Sequence, residues 1–437
     1  MKQNIQMEGE NTDRRQAEER HALANSGTSP GFSVTLLTGG SDRPYVYGLT
    51  NALSSVGVTV DLIGSDELDE PDFRSNPGVT FLNLRGDQRP NADLSAKMYR
   101  IVAYYSRLIR YAATAKPKIF HILWNNKFEM FDRTLLMLYY KLLGKAVVLT
   151  AHNVNKPKRD SADTAFNRLT LRIQYRLADH IFVHTPKMKR ELMKEFGVPT
   201  GRITVIPFGI NNSVPDTNLT PKEAKERLGI RKNRKTILFF GWIKPYKGLE
   251  YLIAAFQTLA RPHADYQLII AGRLEEGSER YWEVLQSQIQ EHAKAGQVIS
   301  RIEFIPDNEV EVYFKGADVL VLPYKDIFQS GVIFLGYNFG LPVIAADVGS
   351  LKEEIIEGTT GFVFRPEDPI DLARALEEYF ASDLFADLEK RRHEIRQFAT
   401  ERHSWEVVSE LTMGTYGRLL KGKSGNSPYT SSMAPSD

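Results

Sequence analysis

The stretch Thr236-Ile237-Leu238-Phe239-Phe240-Gly241-Trp242-Ile243-Lys244-Pro245-Tyr246-Lys247-Gly248-Leu249 decides how this chain folds. Its first five residues form a short, almost unbroken apolar run, the pattern of a strand covered on both faces. Gly241 and Gly248 bracket a turn shaped by Pro245, and a helical apolar pattern follows over Leu249–Leu259. Strand, shaped turn and helix in that order build a parallel sheet. Toward the C-terminus the unit recurs, with strands expected at Gln267–Ala271, Arg301–Ile305, Val319–Pro323, Pro342–Ala346 and Gly361–Phe364. Toward the N-terminus, Thr220-Pro221-Lys222-Glu223 reads as a capping box with proline at the first helical position, so a domain opens there. The polar segment Asn211–Asn218, with Pro215, is its linker. Beyond the linker lies an earlier series of strands, at Ser33–Thr38, Val58–Ile63, Val79–Leu84, Lys118–Leu123, Ala146–Thr150, His180–His184 and Ile203–Pro207. The fold class is therefore α/β: two Rossmann-like, doubly wound domains facing across a cleft, with ligands expected beyond the carboxyl ends of the strands.

Composition narrows the function. In 437 residues, 42% hydrophobic and 25% charged, there is apolar surface for more than one core. A net charge of +2 provides no general field for nucleic acid, which is not expected as a partner. With no cysteine there is no disulfide, thiolate metal site or cysteine nucleophile, in keeping with a reducing, cytoplasmic compartment. Residues 1–30 are polar, lack the apolar core of a signal peptide and are expected as a disordered tail, as are the Ser-, Gly- and Lys-rich residues 421–437. No apolar run is long enough to span a bilayer. Lys97–Lys118 mixes tyrosines with arginines and Leu135–Leu143 is strongly apolar; both read as helices covering a sheet, with peripheral membrane contact as the competing expectation.

Four places carry chemistry. Lys244 and Lys247, between Gly241 and Gly248, supply the point charges a diphosphate needs beside backbone donors. Gln329-Ser330-Gly331-Val332, after the run Val319–Pro323, places small residues at a helix start, where N–H groups are free to meet an anion. Thr38-Gly39-Gly40-Ser41-Asp42 makes a similar turn in the first half but lacks the spacing of a dinucleotide motif. His152, in Thr150-Ala151-His152-Asn153, ends a central strand, where it could bond a substrate hydroxyl or take a proton. Metal and serine-nucleophile motifs are missing, so no metal and no cofactor are expected.

Together these positions resemble the retaining glycosyltransferases of family 4, which have the GT-B fold. The resemblance runs from about Phe32 to Leu420 and is strongest from Ile206 to Phe364, through Val205-Ile206-Pro207-Phe208-Gly209-Ile210, Lys247-Gly248, the run Ala317 to Pro323, and Gly340 to Gly349 with Glu353. Two departures stand out. Trp242 occupies the place of a common arginine, and the family's E-x7-E pair falls on Ile327 and Leu335, as in a subset with Ser-Gly-Val at the helix start. The resemblance implies an N-terminal acceptor domain over 31–212, a nucleotide-sugar domain over 213–402, and a last helix, 403–420, crossing back to the first domain. It implies transfer of a hexose-type sugar from a nucleotide-diphosphate sugar, itself a substrate, to a glycan or lipid-linked acceptor with retention, in polysaccharide or glycoconjugate synthesis. His152, Lys247 and Lys244 are the expected catalytic residues. Gly241, Trp242, Arg273, Ile305, Gln329, Ser330, Gly331, Val332 and Glu353 are expected at the donor, with a base-reading loop at Ile305-Pro306-Asp307-Asn308-Glu309; Gly39, Gly40 and Asn153 are expected on the acceptor side. A non-catalytic sugar-nucleotide-binding protein and a nucleotide-sugar epimerase are the alternatives.

Overall fold

The structure is a computed structural model. It describes residues 31–424 except 40–41, 89–92, 127, 156, 158–162, 211–213, 232 and 261–264. The expected tail 1–30, most of the expected tail 421–437, and Gly40 therefore lie outside the described residues.

Two parallel sheets form the frame. The first has seven strands in the order β3-β2-β1-β4-β5-β6-β7, namely β1 Ser33–Leu37, β2 Thr59–Gly64, β3 Val79–Asn83, β4 Ile119–Ile122, β5 Ala146–Ala151, β6 His180–Val183 and β7 Ile203–Val205. The second has six in the order β10-β9-β8-β11-β12-β13: β8 Lys235–Phe240, β9 Tyr266–Ala271, β10 Val298–Arg301, β11 Val319–Leu322, β12 Val343–Ala346 and β13 Gly361–Phe364. The unbroken apolar runs have the cause expected of them: every residue of β5, β6, β9, β11 and β12 is buried, because helices cover both faces. At roughly 1.5–3 kcal/mol for each large side chain taken out of water, these central strands anchor both cores.

One strand falls elsewhere than expected. The run Arg301–Ile305 was to be a strand, yet β10 is Val298–Arg301, paired through Val298↔Leu268 to Arg301↔Ala271. Past Arg301 there is no further β9 backbone to pair with, and Phe304 is exposed while Ile305 turns into the core. The expected base-reading loop is also mostly the first turn of a helix, Asp307–Gly316, because Pro306 sits at the N-cap and leaves the following residues free to wind.

The capping box at Thr220 is present, opening the helix Pro221–Arg227. The last helix, Trp405–Ser424, runs past Leu420 because backbone bonding continues into polar residues without needing an apolar face. It lies on the first sheet's helical layer. Trp405 packs against Gly48 and Gly209 and donates Nε1–H to the Ile210 carbonyl at 2.8 Å, and Tyr416 meets the ring of buried His121 at 2.6 Å.

Candidate functional site

In each sheet the strand order reverses at one place, between β1 and β4 and between β8 and β11. The carboxyl ends at such a switch point diverge and leave a crevice. Of the sequence-derived candidates, Gly39 follows β1, Gly241, Trp242, Lys244 and Lys247 follow β8, and Gln329 to Val332 follow β11.

In the second domain, Gly248 holds φ at +64°, and a β-carbon there would overlap the carbonyl oxygen of Pro323 at the end of β11. Only glycine fits both demands, and the fit seats the turn Pro245–Lys247 on the strand end. Lys247 is thereby buried, and its ammonium donates to the Tyr324 hydroxyl at 2.7 Å. A lysine cannot accept, so Tyr324 keeps its own proton, which burial makes still harder to lose, and its hydroxyl is in hydrogen-bond contact with Ser330 Oγ at 3.3 Å. Ser330 caps the helix Gly331–Asn338 and also accepts from the Val332 N–H at 3.4 Å. The cationic turn and the helix tip thus meet through one tyrosine, a residue sequence reasoning missed although it directly follows an expected strand.

Around them, Gly241 and Gly272 lie back to back, which brings the loops after β8 and β9 together. Trp242 projects from the first loop, half in solvent, with the Arg273 guanidinium 3.8 Å from its ring centroid. Lys244 lies 5.1 Å from the same ring, and its ammonium is ion-paired with Glu275. Arg273 has no carboxylate partner among the described residues. Gln329 donates to Glu354 at 3.3 Å and leaves its own buried carbonyl oxygen without a partner among the described residues. Ile305 is a core residue that offers a ligand only its backbone. Glu353 faces the first domain, 4.0 Å from Arg190, and its carboxyl is pushed up from the usual range chiefly by burial. Ile327 and Leu335, which stand where the family pattern has glutamates, are both buried in the core.

In the first domain, Gly39 holds φ at +60° against the backbone of Trp124 and Asn125, where a side chain would not fit. His152 stacks face to face on Trp124, centroids 4.0 Å apart, with Tyr45 edge-on at 4.8 Å. Its tautomer follows from its neighbours. His184 Nδ1 lies 3.3 Å from the Ile206 carbonyl, which can only accept, so that nitrogen carries the proton. His184 Nε2 is then an acceptor, and His152 Nδ1, 3.0 Å away, donates to it. The remaining nitrogen, His152 Nε2, bears a lone pair, is buried, and has no partner among the described residues. Burial, reinforced by His184 and His121, holds the His152 pKa well below the usual histidine value. The ring is therefore a weak base and a good hydrogen-bond acceptor. Asn153, the next residue, is half-buried.

Phe208 joins the two groups. Its ring lies 5.0 Å from His184 and 5.3 Å from Tyr45, stacks on Phe334 at 5.5 Å, and borders Gly331. The histidine pair and the helix tip therefore share one aromatic wall in the cleft. The sequence displayed Phe208 as one more apolar residue after a strand, without a signal that it bridges domains. Among the described residues no group of three side chains is arranged to ligate a metal.

Comparison with known proteins follows the same division. Residues 38–214 match the family described as Glycosyltransferase Family 4, and residues 221–402 match Glycosyl transferases group 1. The D-inositol 3-phosphate glycosyltransferase of Paenarthrobacter aurescens is 27% identical over 405 residues, covering 88% of this chain and 94% of the relative. That of Arthrobacter sp. is 26% identical over 419 residues, covering 91% and 94%. Among solved structures, sucrose-phosphate synthase from Thermosynechococcus elongatus superposes with a TM-score of 0.69 at 20% identity, over 90% of this chain and 100% of that one. Anabaena HepE in complex with UDP and glucose gives 0.68 at 17% identity, over 89% and 100%.

Proposed function

We propose that this chain, whose residues 38–214 match a Family 4 model and residues 221–402 a group 1 model, is a GT-B glycosyltransferase that moves a hexose-type sugar from a nucleotide-diphosphate donor to a glycan or lipid-linked acceptor with retention of configuration. The observation that carries the reading is the Lys247–Tyr324–Ser330 chain at the β8/β11 switch point, which collects a cation, a hydroxyl donor and a helix start at one crevice. In the reaction the bond from the anomeric carbon to the donor phosphate oxygen breaks, and charge grows on the leaving diphosphate. Lys247, the Ser330 hydroxyl and the amide of Gly331 stabilise that charge in place before it forms. Arg273, without a carboxylate partner, supplies a second positive charge better than Lys244, which Glu275 already neutralises. Trp242 holds the guanidinium there by cation–π contact.

On the opposite wall, the His152 lone pair accepts from a substrate hydroxyl and orients it. Its depressed pKa suits it to positioning and not to taking the acceptor's proton, the other role expected of it. That proton passes to a phosphate oxygen of the departing diphosphate while the acceptor oxygen bonds the anomeric carbon from the same face. Closure of the cleft about Phe208 excludes the water that would hydrolyse the donor. No resident metal or cofactor takes part, and the work is done in the cytoplasm, at a membrane face where the acceptor is lipid-linked.

Screening nucleoside diphosphates by thermal shift identifies the donor base, since a ligand that binds only the folded state raises its apparent stability. Turnover of the matching sugar nucleotide is then measured with and without acceptor. Product that needs an acceptor supports transfer, product without one means epimerisation, and tight binding with no turnover means a binding protein.

A further inference from the structure

We propose that Glu354 and His403 are positioning residues of the donor site, and that through them the side-chain carbonyl of Gln329 is presented to a hydroxyl of the transferred sugar. This role deepens the transferase reading and rests on it. From Ile327 to Leu335, the segment that carries the helix tip, the only polar side chains are Gln329 and Ser330. Ser330 is already engaged by Tyr324 and by the Val332 N–H. A sugar attached to a diphosphate held at that tip brings a ring of hydroxyl donors, and Gln329 is the side chain with an acceptor to spare.

The orientation of Gln329 is decided by its neighbour. Its amide nitrogen donates to Glu354 Oε1 at 3.3 Å, and a carboxylate can only accept, so the carboxamide cannot be turned end for end. Its carbonyl oxygen is left facing away from Glu354, buried and without a partner among the described residues. Leaving a buried acceptor empty costs stability, a cost that a ligand hydroxyl removes.

Glu354 is held in turn. Its second oxygen lies 3.2 Å from His403 Nε2, which therefore carries the proton, and the Tyr337 hydroxyl donates to its backbone carbonyl at 2.9 Å. His403 is buried with its ring centroid 4.5 Å from that of Phe334, and its own carbonyl accepts from the Ile210 N–H at 2.9 Å. Carboxamide, carboxylate and imidazole thus form one chain of contacts from the helix tip to the end of the helix Leu388–His403. Its outer end sits at the cleft, because Phe328 packs on the first domain's core and Gly331 borders Phe208. Of the nearby carboxylates, Glu353 turns to Arg190 and Asp326 stands in solvent.

Calorimetry with UDP, GDP, UDP-glucose and GDP-mannose, and then with the deoxy analogues of whichever sugar nucleotide binds, tests this without an acceptor. The parent is expected to bind one deoxy analogue roughly tenfold more weakly than the full sugar nucleotide. Gln329→Leu should erase that preference while affinity for the nucleoside diphosphate stays within about twofold. Glu354→Leu should do the same, because the carboxamide is then free to turn. Glu354→Gln should restore the preference, since its oxygen still accepts from Gln329 and His403 can move its proton to Nδ1 and accept in return. His403→Phe, which keeps the packing on Phe334 and loses the bond, should weaken it. Unfolding temperatures identify a variant that has not folded, and Gln329→Leu, with a single side-chain bond to lose, then carries the test by itself. A parent without preference among the analogues, or a preference that survives in Gln329→Leu or Glu354→Leu, overturns the proposal and leaves the transferase reading standing. So does an equal loss of affinity for nucleoside diphosphate and sugar nucleotide, which is what a purely architectural role would give. A parent that binds none of the four probes overturns both.

Discussion

A neutral imidazole with one unengaged lone pair is an uncommon thing to bury, and the geometry around His152 explains how it is kept. Trp124 and Tyr45 hold the ring, His184 takes its proton donor, and Nε2 is left for a ligand. His152→Ala should therefore lower turnover while nucleoside-diphosphate affinity, read by calorimetry, changes little; an equal loss in both would place the residue on the donor side. In the proposed reaction Lys247 acts on charge that develops only as the diphosphate leaves. Lys247→Ala is expected to cost about 2–4 kcal/mol in transition-state stabilisation, read as kcat/KM, and an unchanged value would remove the lysine from the site. His152 and Lys247 were both legible in the sequence, because a histidine or lysine at a strand end is visible in one dimension. The contacts of Tyr324, His184 and Phe208 were not, since each of them depends on a partner distant in sequence or a neighbour from the other domain.

At the level of single elements, turns and termini do the positioning. The turn ending in Gly248 presses on Pro323, so Gly248→Ala must either strain a left-handed backbone or lift the turn off β11. Loss of more than about 1–2 kcal/mol of stability is expected, with weakened nucleotide binding; thermal unfolding with and without nucleoside diphosphate measures both. The last helix is the other such element. Trp405 fills space left by Gly48 and Gly209 and bonds Ile210, so Trp405→Ala should cost about 3–5 kcal/mol in denaturant unfolding. The sequence located this helix and its aromatic start. It could not show that two glycines, Gly48 on the helix Arg43–Ser55 and Gly209 after β7, are small in order to receive that indole.

Across the whole molecule, buried histidines link the fold to pH. Burial pushes His121 down to about 3 and His184 to about 4, so the folded protein keeps them neutral at pH values where the unfolded chain protonates them. The unfolded state then binds more protons, and stability, complete above about pH 6.5, declines as pH falls toward the folded values, by about 1.4 kcal/mol per pH unit for each such group. Unfolding temperatures measured from pH 7 to pH 4.5 should fall accordingly, and a flat profile would mean these rings are not buried neutral. Composition and periodicity alone determined the class of fold, the two-domain division and all the strands but one within about two residues, because apolar runs, glycines and caps act through neighbours along the chain. The misplaced edge strand β10 was decided by how much β9 backbone there was to pair with. Tertiary structure alone decided that Glu275 neutralises Lys244 while Arg273 stays available, that one tyrosine joins the turn to the helix tip, and that a single phenylalanine walls both half-sites. The physical reason is that charge compensation and ring packing depend on distance in space, which the order of residues does not contain.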